Sequence, residues 1–269
     1  MATARPEPEA GSFEISTGTA ELASDREGGW LLSVNGVQSS HIAPDRPDLL
    51  DFEYMRQAVA AVEDQWADRS TRLRVLHLGA AACALPRYLA NAYPESRHVA
   101  VEIDAELARL AREWFDLPRA PRLRIRVGDA REVVESLTPE TRDVVIRDAF
   151  AESLTPEHLK TVEFTEAVRR VLAPGGLYIA NCGDRRNLLS VRSEVATVAS
   201  VFANIELIAD PSMFKGRRSG NIVVVASDGP LPDSADLERR LRSDPEPARL
   251  MADAAARAFG SGPVLRDAN

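Results

Sequence analysis

The sequence predicts an α/β protein: a doubly wound, mostly parallel sheet of seven strands, preceded by a small antiparallel β-hairpin region. Three observations lead there. From Leu73 onward, apolar runs alternate with amphipathic helical stretches, the order that builds a parallel sheet with helices on both faces. The stretch from Leu73 to Asp104 runs strand, Gly79, a loop of small residues, helix, and a second strand ending in Glu102 and Asp104. The stretch from Phe13 to Ile42 instead holds short strand-like runs broken by Gly28-Gly29 and Asn35-Gly36, which are hairpin signals.

The elements follow in order. Residues 1–12 are rich in Pro, Glu and Ala and read as disordered. Residues 13–48 read as a hairpin region of two or three strands, which must pack on the main domain or on a partner because a hairpin alone is marginal. Residues 49–230 read as the main domain. It opens with a helix over 50–66, with Met55, Val59 and Val62 on one face. Strands are predicted at 73–78, 97–102, 122–127, 143–148, 176–181, 203–209 and 221–227, and helices at 84–92, 105–115, 130–137, 156–172 and 186–202. Leu107, Leu110, Ala111 and Trp114 recur at i, i+3, i+4 and i+7, the buried stripe of an amphipathic helix. The connection 211–220 has no helical pattern, which favours an antiparallel final pair of strands. Residues 231–269 read as a C-terminal helical tail, with its helix over 246–259.

Composition narrows the function classes. Of 269 residues, 45% are hydrophobic, enough for a sizeable core. A net charge of −8 argues against a nucleic-acid protein held by bulk electrostatics and does not repel a cationic ligand. Cys83 and Cys182 are the only cysteines, too few for a disulfide framework and not in a CxxC pair, so a reducing cytoplasm is expected. No apolar run is long enough to span a bilayer, and the N-terminus has no apolar core of a signal peptide. His41, His77, His98 and His158 form no pair at metal-ligand spacing, so no metal site is expected.

The chemistry concentrates at strand ends. Glu102 follows Gly79 by 23 positions (102 − 79), close to the spacing of about 20 residues by which nucleotide-binding α/β units place a carboxylate on a ribose diol. Backbone N–H groups of the tight turn are expected to face the ligand. The loop is GAAAC, however, and side chains at Ala80 to Cys83 disfavour positive φ. An ordinary strand-turn-helix is the alternative. Gly79, Glu102, Asp129 and Asp148 all fall at or just past predicted strand ends, where ligands bind in open α/β sheets. Asp129 reads equally well as the N-cap of the helix from Ala130 and as a ligand contact. Asp148, directly after VVIR, reads as a functional carboxylate or as a loop residue.

This order of strands, with VLAPGG (171–176) before the fifth, resembles the S-adenosylmethionine-dependent methyltransferase fold, a Rossmann-like sheet. Within it the chain resembles the polyamine aminopropyltransferases, the spermidine synthase family, and most of all its spermidine synthase-like branch. The matching pieces run in order: NGVQS (35–39), GAAAC (79–83), VEID (101–104), GDA (128–130) and VVIRDAF (144–150). The resemblance implies a transferase. Its co-substrate would be decarboxylated S-adenosylmethionine, or intact S-adenosylmethionine if the chain is instead a methyltransferase. Its acceptor would be a small-molecule amine. Separately, the short hairpin sheet with Trp30, Leu31 and Leu32 needs cover that a second copy can supply, so a homodimer is expected. It implies that Gln38 contacts the sulfonium nucleoside, Glu102 holds the ribose, Ile103 packs on the adenine, and Asp129 and Ala130 read the adenine edge. Asp148 would stand beside the sulfur and the incoming nucleophile as the catalytic group. Glu53, Tyr54 and Glu152 would line the amine half. Three departures from the family pattern stand out: the Ala-filled nucleotide loop and, in the amine half, Phe52 in place of a tyrosine and Ala151 in place of a second aspartate. A non-catalytic nucleoside-binding homologue is the remaining alternative.

Overall fold

The computed structural model describes residues 8–151, 154–232 and 235–268. Chain order begins with four strands, β1 (Gly11–Ile15), β2 (Gly18–Ser24), β3 (Trp30–Val34) and β4 (Val37–Ile42), which form an antiparallel meander in that order. The expected two or three strands are therefore four, because the run after Phe13 pairs with residues 18–22 across a tight turn at Thr17. Asn35 and Gly36 both take positive φ, 51° and 76°, as a two-residue hairpin turn demands.

Helix α1 (Glu53–Gln65) leads into β5 (Arg74–Leu78), α2 (Ala84–Ala92), β6 (Arg97–Glu102), α3 (Ala105–Trp114), β7 (Leu123–Val127), α4 (Ala130–Glu135) and β8 (Arg142–Arg147). A single 3₁₀ turn (Glu157–Leu159) precedes α5 (Val162–Val171). Then come β9 (Leu172–Asp184), α6 (Leu189–Val201), β10 (Asn204–Ala209), α7 (Pro211–Phe214), β11 (Gly220–Ser227), α8 (Ala235–Ser243), β12 (Arg249–Met251) and α9 (Asp253–Phe259). The main sheet has the order β12-β10-β11-β9-β8-β5-β6-β7. β7, β6, β5, β8 and β9 are parallel, and β11 runs antiparallel to both β9 and β10, as the short connection required.

Five expectations need correction. Gly11 and Ser12, expected in a disordered N-terminus, open β1, and the connection 211–220, expected without a helix, begins with α7. The sheet has eight strands, not seven, because β12 adds antiparallel to β10. Three residues are too few to show an alternating pattern. The tail is not one helix over 246–259 but two helices flanking β12, with Asp253 opening the second. The helix expected over 156–172 starts only at Val162, where the Thr161 hydroxyl accepts from the Phe164 N–H as an N-cap.

Apolar side chains fill both faces of the sheet, as a doubly wound fold requires. One core packs Met55 and Val59 of α1, Leu89 of α2, Leu107 of α3 and Leu237 of α8. The other packs Val133 of α4, Phe164 of α5, Val191 of α6 and Phe259 of α9. The meander joins the first core through Ile15, Leu22, Leu32 and Ile42. Phe13 meets Trp114 edge to face at 4.9 Å, and the Thr17 N–H and hydroxyl both donate to Asp104, at 2.6 and 2.9 Å. The N-terminal sheet thus docks on the same chain, at the end of the main sheet where β6 meets α3.

Candidate active site

The parallel strands end in a row, and their tips interlock. The Asp148 N–H donates to the Leu78 carbonyl at 2.8 Å, and the Gly79 N–H donates to Val101 at 3.0 Å. Gly79 has φ +95°, and a Cβ there would lie 2.1 Å from the Asp148 carbonyl oxygen. Only glycine allows this approach, so Gly79 brings the tips of β5 and β8 together.

The loop after Gly79 departs from expectation twice. Ala81 (φ 43°) and Cys83 (φ 61°) adopt left-handed backbone despite their side chains. Such a conformation costs roughly 1–2 kcal/mol per residue. What offsets it is a carboxylate. Glu102, 8% exposed, accepts from the Ala81 N–H at 2.8 Å and the Ala80 N–H at 3.2 Å, and its other oxygen accepts from Asp104 at 3.1 Å. The Ala82 N–H donates to the Ser40 hydroxyl of β4 at 3.2 Å. The loop N–H groups expected to face a ligand are thus spoken for by Glu102 and Ser40. Gln38 is exposed on β4; a bulge pairs Ser40 with Leu32 but Gln38 with Ser33, so the two side chains fall on opposite faces of the meander.

Beside Glu102, Ile103 is 62% exposed and Val127 at the tip of β7 is 51% exposed. Both are uncovered apolar side chains at neighbouring strand ends. Asp129 caps α4, accepting from the Arg131 N–H (2.8 Å) and the Glu132 N–H (3.1 Å). Its second oxygen meets His158 Nε2 at 2.9 Å. Burial alone would raise its carboxyl, but the backbone bonds and His158 hold it below the usual range. Ala130, the first residue of α4, is buried behind it.

Asp148 is wired differently. Tyr54 OH donates to Oδ2 at 3.0 Å and Asn181 Nδ2 donates to Oδ1 at 2.8 Å. Burial pushes the carboxyl up, and the two donors together with Arg147 only partly oppose it. Both donors come from distant sequence: Tyr54 from α1, Asn181 from β9. Burial likewise raises Glu53, whose nearest charge is Arg218 at 2.9 Å. Arg218 also pairs with Asp210 at 3.0 Å. Glu53 therefore sits on an arginine, not against Asp148. Glu152 lies outside the described residues.

Sequence reasoning did not single out Asn181, Ser40 or the Arg147–Glu194 pair. Arg147 and Glu194, each 2% exposed, meet at 2.5 Å behind the tip of β8. Arg147 also donates to the Leu159 carbonyl at 2.8 Å, joining β8, α6 and the 3₁₀ turn. Breaking such a pair leaves an uncompensated buried charge. The one signal was an arginine inside an otherwise apolar strand. Among the described residues no group of three or more His, Cys, Asp or Glu is placed to hold a metal, and no helix is long and apolar enough to cross a membrane.

The parallel run flanked by an antiparallel β11, with carboxylates on successive strand tips, defines a protein of the methyltransferase fold. Residues 75–176 match the family model described as a methyltransferase domain. A crystal structure of a probable spermidine synthase from Corynebacterium glutamicum is 48% identical, with a TM-score of 0.92 over 97% of this chain and 98% of that one. The chain belongs to the spermidine synthase family. A polyamine aminopropyltransferase from Vibrio vulnificus is 28% identical over 206 residues, which span 76% of this chain and 65% of the relative. The spermidine synthase of Thermotoga maritima, 17% identical with a TM-score of 0.63 over 94% of this chain and 84% of that one, shares the fold.

Proposed function

We propose that the chain transfers an aminopropyl group from decarboxylated S-adenosylmethionine to a polyamine acceptor. The observation that carries this reading is Asp148, a carboxylate raised by burial and held by two side-chain donors at the tip of β8. It agrees with the names of the relatives, a probable spermidine synthase and a polyamine aminopropyltransferase. A protonated amine has no lone pair and must lose a proton before it attacks. A carboxylate with a raised pKa is a better acceptor for that proton than an ordinary one. In the proposed step Asp148 takes the proton, the amine nitrogen bonds to the carbon attached to the sulfonium, and the carbon–sulfur bond breaks to leave a neutral thioether. Tyr54 and Asn181 hold the carboxylate in one orientation, and alignment of nitrogen, carbon and sulfur supplies much of the rate.

The nucleoside half follows from the same tips. In this reading Glu102 accepts from the ribose hydroxyls while keeping its loop bonds. Ile103, with Val127 beside it, is the platform for the adenine. On the same reading Asp129 and Ala130 meet the ring edge and Gly79 keeps the floor open. Phe52 and Tyr54 stack with ring centroids 6.0 Å apart. In this reading Tyr54, two positions later, supplies the hydroxyl that Phe52 lacks. Incubation with decarboxylated S-adenosylmethionine and a panel of amines, read by mass spectrometry, tests the reaction. An aminopropylated amine is expected. A methylated product formed only from intact S-adenosylmethionine would replace this reading with a methyltransferase.

A homodimer in the cytoplasm completes the proposal. Among the described residues no strand pairs with the outer edges of the meander, β1 and β4, and Trp30 and Leu31 stay half-buried. A second copy can cover them. Light scattering at micromolar concentration giving the monomer mass of 29.4 kDa would overturn the dimer.

A further inference from the structure

The opposite edge of the main sheet carries an unexpected concentration of positive charge. Arg74 opens β5, Arg97 opens β6, Arg142 opens β8, and Arg124 is the second residue of β7. Those four strands are neighbours in the sheet, so the arginines form a row across its N-terminal edge. They line a cavity of about 300 Å³ together with His98 and Val99. The chain as a whole is acidic, with a net charge of −8, so a random share of its charges would not give this.

The row is only partly neutralised. Arg74 is bonded bidentately to Asp143, at 2.7 and 3.0 Å. Arg142 donates one N–H to the Thr141 carbonyl at 2.7 Å, but its Nε is buried with no hydrogen-bond partner. The Nε2 of His98 is also buried without one. Arg97 and Arg124 make no side-chain hydrogen bond or ion pair among the described residues. Burial, and then the charge of Arg74, push the Arg142 guanidinium down, which is what unmet positive potential does. Buried donors without partners and adjacent like charges are both costly.

We infer that this cavity is a binding site for a small oligophosphate anion, separate from the proposed catalytic site. Forked guanidinium donors match phosphate oxygens two at a time, and several phosphates in a chain would reach several arginines of the row. The volume falls at the small end of ligand pockets, which suits a compact polyanion. Strands of five to six residues put this edge roughly 16 Å from the tips that carry Glu102 and Asp148.

Calorimetry with inorganic triphosphate in phosphate-free buffer, with methylthioadenosine present in excess, tests the inference. The parent chain should bind one triphosphate saturably, with no displacement by the nucleoside. Exposed Arg97 and Arg124 can be changed without touching the core, so Arg97→Gln with Arg124→Gln should fold as the parent does. It should bind triphosphate about 100-fold more weakly, about tenfold per guanidinium. ATP in the same assay separates sources: affinity equal to triphosphate assigns the phosphate chain alone, and tighter binding adds a nucleoside contact at the rim. No saturable binding by the parent, binding unchanged in the double variant, or displacement by methylthioadenosine would each overturn the site.

Discussion

The nucleoside half and the amine half of the candidate site hold their carboxylates by opposite means. Glu102, Asp104 and Asp129 accept from backbone N–H groups, of Ala80 and Ala81, of Leu107 and Thr17, and of Arg131 and Glu132. For Asp104 and Asp129 those bonds, together with the Thr17 hydroxyl and His158 respectively, outweigh burial and hold the carboxyl below the usual range. Among the described residues Asp148 accepts only from side chains, Tyr54 and Asn181, and burial pushes it up. Backbone donors are fixed by secondary structure and favour the ionised form, which suits a group that accepts hydrogen bonds from a ligand. A buried carboxyl with few donors suits a group that must accept a proton.

The largest expected effect tests the amine half. Asp148→Asn keeps the shape but cannot accept a proton, so turnover should fall by about 10² to 10⁴-fold while nucleoside binding changes little. Single-turnover kinetics beside calorimetry would show it. Full turnover, or loss of nucleoside binding with it, would break the contrast between the halves.

Next comes Glu102→Gln. Charge-assisted bonds worth about 1.5–3 kcal/mol are lost, so nucleoside affinity should fall by roughly tenfold or more, read by titration with methylthioadenosine. Unchanged affinity in a folded variant would remove Glu102 from the ribose.

Tyr54→Phe should act more gently and in a diagnostic direction. Tyr54 donates to the ionised Asp148, so its removal raises that carboxyl further. Turnover should fall about two- to tenfold, and the acid limb of the pH–rate profile should move to higher pH. A purely structural tyrosine would lower the rate without moving the limb.

The smallest effect is on stability. The folded pKa of Asp148 lies above its unfolded value, so its contribution is full below the ordinary carboxylate range and lost as pH rises through the raised value. At neutral pH the parent holds an unfavourable buried charge that Asp148→Asn does not. The variant should melt higher than the parent near pH 7, and the difference should vanish in acid. A lower melting point near pH 7 would show that Tyr54 and Asn181 more than compensate for burial.

Local pattern was enough for the strand and helix alternation, and for placing Gly79, Glu102, Asp129 and Asp148 at strand tips, because apolar periodicity and turn residues are written in neighbouring positions. It was not enough for β12, whose three residues carry no period, nor for the split tail around it. It also misjudged the GAAAC loop. The cost of positive φ at Ala81 and Cys83 is a local property, but the Glu102 carboxylate that offsets it comes from the next strand.

The order of residues along the chain thus determined the sheet, its direction and which carboxylates crown it. Beyond the local N-cap bonds of Asp129, tertiary structure decided what each carboxylate touches. Tyr54 lies 94 positions from Asp148 and Asn181 lies 33 away. Ser40 reaches Ala82 across 42 positions. A strand tip can be read from a few neighbours, but the protonation preference of the group it carries depends on donors and burial that arrive only when distant segments pack together.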